Sequence, residues 1–92
     1  MEKKIFKCDE IKEFFYRLIG EYWLDDDTYV LVLADMVDED GDVYNVDVEW
    51  HNDEQRVTYT KVYEFETMDG TDCVSDCFKK VIEEYLMKQV NK

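Results

Sequence analysis

The chain has no proline, three glycines and one histidine among its 92 residues, and from Glu21 to Gln55 it has no lysine or arginine. Each scarcity excludes something. Gly20, Gly41 and Gly70 are too few and too far apart to form a glycine-rich phosphate loop. His51 with Cys8, Cys73 and Cys77 could make a Cys₃His zinc site or a Cys–His nucleophile only by gathering scattered positions, without a short CxxC pair. The cysteines read instead as small apolar side chains filling a helix–helix interface. Tyr29–Ala34, the longest apolar stretch, is far short of the roughly 20 residues of a membrane span, and anionic lipid would repel so acidic a surface. No sustained apolar run follows Met1-Glu2-Lys3-Lys4, so no signal peptide is expected. An odd cysteine count then suits a reducing cytoplasm.

What is present is a foldable chain. Hydrophobic residues make up 46% and aromatics 15%, too rich for a disordered acidic tail, and 92 residues support one core and therefore one domain, residues 1–92. The formal charge of −13 exceeds the magnitude of about 2 to 8 that suits a small domain. Self-repulsion on that scale opposes compaction, and its benefit is either solubility or a field that selects partners.

Asp9 stands before Ile11, Phe14, Phe15, Leu18, Ile19, Tyr22 and Trp23, a 3–4–7 spacing that predicts a capped helix, with Gly20 as the place where it would end early. Thr28–Val37 is β-branched and aromatic. Asp42–Trp50 alternates Tyr44, Val46, Val48 and Trp50 with Asn45, Asp47 and Glu49, and Asp38-Glu39-Asp40-Gly41 between them is a hairpin turn. Arg56–Glu66 predicts a third strand with Val57, Tyr59, Tyr63 and Phe65 on one face, where Lys61 is the exception, explained by a bulge or by snorkelling. Asp69-Gly70-Thr71-Asp72 forms a turn ending in a helix cap. A long amphipathic helix follows through Val74, Cys77, Phe78, Val81, Ile82, Tyr85, Leu86 and Val90. The expected fold is α+β, in the order αβββα: a three-stranded antiparallel meander with two helices packed on one face.

The acidic residues are concentrated where cations are missing. Glu21, Asp25, Asp26, Asp27, Asp35, Asp38, Glu39, Asp40, Asp42, Asp47, Glu49, Asp53 and Glu54 all fall within the cation-free stretch, which is the first two predicted strands and their loops. Asp47 and Glu49 point away from the apolar set, about 6.8 Å apart at roughly 3.4 Å per strand residue. The plain reading is a solvated face. Ordinary surfaces mix the two signs, however, and a rigid array of carboxylates fits a groove that Lys and Arg line for nucleic acid. The candidate target-binding residues are therefore Asp25, Asp26, Asp27, Asp35, Asp38, Glu39, Asp40, Asp42, Asp47, Glu49, Asp53 and Glu54.

Other chemistries fit less well. Asp38, Asp40 and Asp42 with Gly41 lack the spacing and flanking helices of an EF-hand, so a hairpin turn accounts for them, and no metal or other cofactor is expected. Catalytic carboxylates need a pocket that shifts a pKa, which mutually repelling exposed acids do not form, so no enzymatic activity is expected. An aromatic platform for single-stranded nucleic acid would sit in a field of the wrong sign, so direct nucleic-acid binding is not expected.

The αβββα order resembles the double-stranded RNA-binding domain in topology, but that family's basic residues at the start of its last helix are replaced here by Asp69, Asp72 and Asp76. In size, acidity and layout the chain also resembles small phage-encoded inhibitors that imitate nucleic acid, of the anti-CRISPR and anti-restriction kind. That resemblance implies a non-catalytic inhibitor in a bacterial cytoplasm whose partner is a basic nucleic-acid-binding protein such as a nuclease. The alternative is a protein–protein adaptor or immunity module whose acidity serves solubility. A homodimer is compatible with either, provided its interface uses the helix side or the less acidic third strand.

Overall fold

The computed structural model describes residues 8–91, without the side chains of residues 8–10; the expected cap Asp9, the Cys8 thiol and the first residues read for a leader lie outside this description. Seven elements follow one another: α1 (Cys8–Arg17), β1 (Leu18–Trp23), β2 (Thr28–Val37), β3 (Val43–His51), β4 (Arg56–Val62), β5 (Thr67–Asp69) and α2 (Asp76–Val90). The strands form one antiparallel sheet in the order β1-β2-β3-β4-β5. The α+β class stands, with five strands in place of three, and the topological likeness to the double-stranded RNA-binding domain fails with the αβββα order.

The first added strand comes from the expected helix. Leu18, Ile19, Tyr22 and Trp23 continue the helical stripe of the first helix, but Gly20 weakens a helix there. Pairing with β2, from Leu18 opposite Leu33 to Trp23 opposite Tyr29, decides it. The second added strand, β5, forms because Tyr63 N–H donates to the Glu66 carbonyl at 2.8 Å and turns the chain back onto β4. Phe65, expected on the core face, is consequently 90% exposed.

Both helices cover the same side of the sheet. Phe14 from α1 and Val81, Ile82 and Leu86 from α2 pack with Tyr29, Leu31 and Leu33 of β2, Tyr44, Val46, Val48 and Trp50 of β3, and Tyr59 of β4. This is a single hydrophobic core, and burying each large side chain contributes roughly 1.5–3 kcal/mol. Ser75, rather than Asp72, caps α2 by accepting from Phe78 N–H. Cys77 is exposed and Cys73 lies half-buried in the preceding loop, so neither fills the helix–helix interface. The rings of Phe14 and Phe15 meet Tyr85 there instead, with centroids 5.2 and 5.6 Å apart.

Lys61 sits on the helix side of β4, in unbroken register between Val46 and Met68, so no bulge accounts for it. Its ammonium lies over Tyr44 at 5.0 Å and Tyr63 at 5.6 Å, the snorkelling answer with a cation–π reward. Gly70 makes this packing possible, since a Cβ there would stand 2.9 Å from Lys61 Cγ and 3.2 Å from Cys73 Sγ. The β2–β3 connection is the five residues 38–42, in which Gly41 adopts φ 86° and donates to the Asp38 carbonyl.

Candidate target-binding surface

Because Tyr44, Val46, Val48 and Trp50 turn toward the helices, Asn45, Asp47, Glu49 and His51 turn to the opposite face, which neither helix of the described residues covers. Asp47 lies between Val32 and Thr60, and Glu49 between Val30 and Thr58. Partial burial among these neighbours raises the Asp47 carboxyl above its ordinary range. Glu49 stands 3.5 Å from His51 Nε2, which also shares a 3.0 Å hydrogen bond with Thr58. Asp69 on β5, pairing with Thr60, extends this face and was not among the predicted residues.

The turns gather the remaining carboxylates at the two ends of the sheet. At the β1–β2 end, Asp25 Oδ1 accepts from the backbone N–H groups of Asp27 and Thr28, both at 2.8 Å, and these donors hold its carboxyl below the usual range. Asp27 in turn accepts from Asp53 N–H at 2.7 Å, and its carbonyl from Asn52 N–H at 2.8 Å. Asp25, Asp26, Asp27, Asp53 and Glu54 are thus neighbours although nearly thirty residues separate them in sequence. Crowding shows in Asp53, whose carboxyl the Asp27 carboxylate pushes up, while the Arg56 guanidinium holds Glu54 down.

At the opposite end Asp38 accepts from Tyr63 Oη at 2.9 Å and from Asp42 and Asp40 N–H at 2.9 and 3.0 Å, and all three lower its pKa, Tyr63 most. Carboxylate oxygens of Asp38, Asp40 and Asp42 lie within 4.8 Å of one another, the one such grouping among the described residues. Its amide contacts are those of a hairpin turn. Glu64 and Glu66, which sequence reasoning missed, join this end through the turn that starts β5, and Phe65 and Met68 lie beside them around a recess of about 650 Å³. Only the sheet register could have revealed that neighbourhood.

One predicted member of the surface stands apart. Asp35 sits at the irregularity in β2 with φ 60°, its N–H donating to Asn45 Oδ1 and its carbonyl accepting from Arg17. Glu39 is exposed at the hairpin tip. Glu21, counted with the acidic stretch, faces the helices instead: its carboxylate accepts from Tyr29 Oη at 2.6 Å, from Tyr85 Oη and from Gln89 Nε2 at 2.9 Å.

Cations are segregated as well. From Leu18 to Ser75 there are seventeen acidic residues against two basic ones, Arg56 and Lys61, a net −15, whereas the two helices hold six acids and five cations. Lys61 is on the helix side, and Arg56 is ion-paired to Glu54. The expected continuous anionic surface is therefore two acidic ends joined by the Asp47–Glu49 row, over the roughly 30 Å of a nine-residue strand. Among the described residues no helix is long and apolar enough to cross a membrane. Comparison with known proteins finds no counterpart: no family model, curated protein or solved structure matches the chain.

Proposed function

We propose that this chain is a non-catalytic inhibitor whose acidic sheet side occupies the nucleic-acid-binding groove of a basic protein such as a nuclease, in the manner of anti-CRISPR and anti-restriction nucleic-acid mimics. One observation carries the reading: a net −15 between the two helices in sequence, with most of its carboxylates on the open face and at both ends of the sheet. Amide and hydroxyl donors that keep Asp25 and Asp38 ionised favour a fixed negative array. A groove that pairs its Lys and Arg with phosphates can pair them with such carboxylates, and duplex DNA then competes for the same cations. The setting proposed is the cytoplasm of a bacterial host, with no direct binding to nucleic acid or membrane.

The test is capture of partners from a bacterial lysate on the immobilised chain, eluted in parallel by a salt ramp and by excess duplex DNA. A nucleic-acid enzyme should leave under both treatments, and its activity should be inhibited by the free chain. Changing Asp25, Asp26, Asp27, Asp38, Asp40, Asp42, Asp47 and Asp53 to Asn, with Glu49 and Glu54 to Gln, should abolish capture. Inhibition that survives this neutralisation sinks the proposal.

The exposed ring of Phe65 beside Met68 favours a second reading, an adaptor or immunity module that binds through an apolar anchor while its acidity serves solubility. Its binding would resist salt and be lost in Phe65→Ser.

A further inference from the structure

At the Asp38 end of the sheet, the turn over residues 63–66 folds back beside the β2–β3 connection, and the recess of about 650 Å³ lies between them. Two kinds of side chain line it. Asp38, Asp40, Asp42, Glu64 and Glu66 bring five carboxylates, with no Lys, Arg or His among the described lining residues. Set among them are the exposed apolar groups Val43, Met68 and Phe65, the last 90% exposed. Carboxylates alone would hold any counter-ion loosely in solvent, whereas an exposed aromatic ring in their midst favours a cation that can also lie against that ring. We infer that this recess receives an arginine side chain of a basic partner protein, its guanidinium against Phe65 and its N–H donors on the surrounding carboxylates.

Charge and chemistry select that occupant. A lining with five acids and no cation repels an acidic segment or nucleic acid and attracts a basic one. Asp38 is already engaged, its Oδ1 accepting from Asp40 and Asp42 N–H and its Oδ2 from Tyr63 Oη. The carboxylates of Asp40, Asp42, Glu64 and Glu66, by contrast, have no hydrogen-bond or ion-pair partner among the described residues. Lys61, the one cation in sequence between Arg56 and Lys79, does not line the recess; it lies over Tyr44 and Tyr63. A metal fits less well. Of the three clustered carboxylates only those of Asp40 and Asp42 are free, against the roughly six to eight oxygens that calcium takes, and a bare ion makes no use of Phe65. Lysine would satisfy the acids as a strongly hydrated point charge. Arginine's planar, weakly hydrated guanidinium can stack on the ring while its fork of donors meets the carboxylates. The inference rests on the proposed function in taking a basic protein as the partner, and adds which end of the sheet prefers arginine and through which ring.

The peptide acetyl-Arg-Leu-Arg-amide and its lysine counterpart, titrated into the isotopically labelled full chain at low salt and followed through backbone amide shifts, test it without the target. The arginine peptide should shift residues 38–43 and 63–68 ahead of 25–27 and 53–54. It should bind more tightly than the lysine peptide by roughly two- to fivefold, the size of a cation–π contact at an exposed site. Phe65→Ser should erase that preference and, because the ring stands in solvent, leave the thermal midpoint nearly unchanged. Glu64→Gln combined with Glu66→Gln should weaken both peptides. Equal shifts at the two acidic ends, equal affinities for the two peptides, or a preference for arginine that survives Phe65→Ser overturns the inference. So does calcium chloride that perturbs residues 38–42 at micromolar concentration, by giving those carboxylates to a metal. A lysate that yields no basic partner sinks the proposed function but leaves the peptide preference to be read, so the two failures are distinct.

Discussion

Glu21 on β1 and the Asp47–Glu49 pair on β3 are carboxylates in one sheet, two strands apart, and they face opposite ways. Glu21 looks toward the helices, where two tyrosine hydroxyls and Gln89 donate to it, and burial together with the Glu21 hydrogen bond pushes the Tyr29 phenol up. Asp47 and Glu49 look outward among threonines and valines, and burial without a paired cation raises Asp47. A carboxylate satisfied by donors holds the fold together; one left in mild discomfort on an open face is available to a partner that brings the missing cations. For these three residues the structural role and the proposed binding role are thus separable.

The contrast can be broken most strongly from the outside. Neutralising the acids of both ends together with Asp47 and Glu49 should weaken target binding by about 10³-fold or more and flatten its salt dependence, measured by competition against duplex DNA, while the fold survives. Glu21→Ala should do the reverse. Leaving the Tyr29 and Tyr85 hydroxyls without their acceptor should cost roughly 1–3 kcal/mol in chemical denaturation and leave binding by the folded fraction unchanged. Ser75→Ala, which strips the α2 cap on the helix side, should cost about 1 kcal/mol in the same assay.

Smaller effects sharpen the comparison by sign. Asp25 and Asp38 have folded pKa values below their unfolded ones, so the stability they contribute is present above the ordinary carboxylate range and lost as pH falls through the depressed values. Asp25→Asn and Asp38→Asn should therefore make thermal stability less sensitive to acid. Asp47 is shifted the other way, so its ionised form disfavours the fold at neutral pH. Asp47→Asn should raise the melting midpoint slightly near pH 7, with the gain vanishing at low pH. A midpoint that falls at pH 7 would show that Asp47 is satisfied where it stands.

Much of this arrangement is readable along the chain. Thr28–Val37 is a strand from end to end because its β-branched and aromatic run admits no helical stripe, and the Asp-Gly pair at residues 40 and 41 marks a turn through glycine's tolerance of positive φ. Leu18–Trp23 was not readable, since its apolar residues continue a helical stripe and only hydrogen bonding to β2 makes it a strand. Nor was Phe65, whose alternation with Tyr63 continues in sequence past the point where the backbone turns. For the candidate surface, residue type marked the carboxylates but could not assign them to ends. Asp27 and Asp53 became neighbours, and Glu64 and Glu66 joined Asp38–Asp42, through strand register alone.

By itself, then, the sequence determined that an acidic α+β fold forms, that β2, β3 and the last helix lie where they do, and that cations are withheld from residues 21–55, because composition and local periodicity are carried by neighbouring residues. Tertiary structure alone decided that β1 and β5 are strands, that Glu21 belongs to the core side, and that the remaining acids divide between an open face and two ends. Those outcomes depend on hydrogen bonds and contacts between residues distant in the chain, whose energies no local pattern contains.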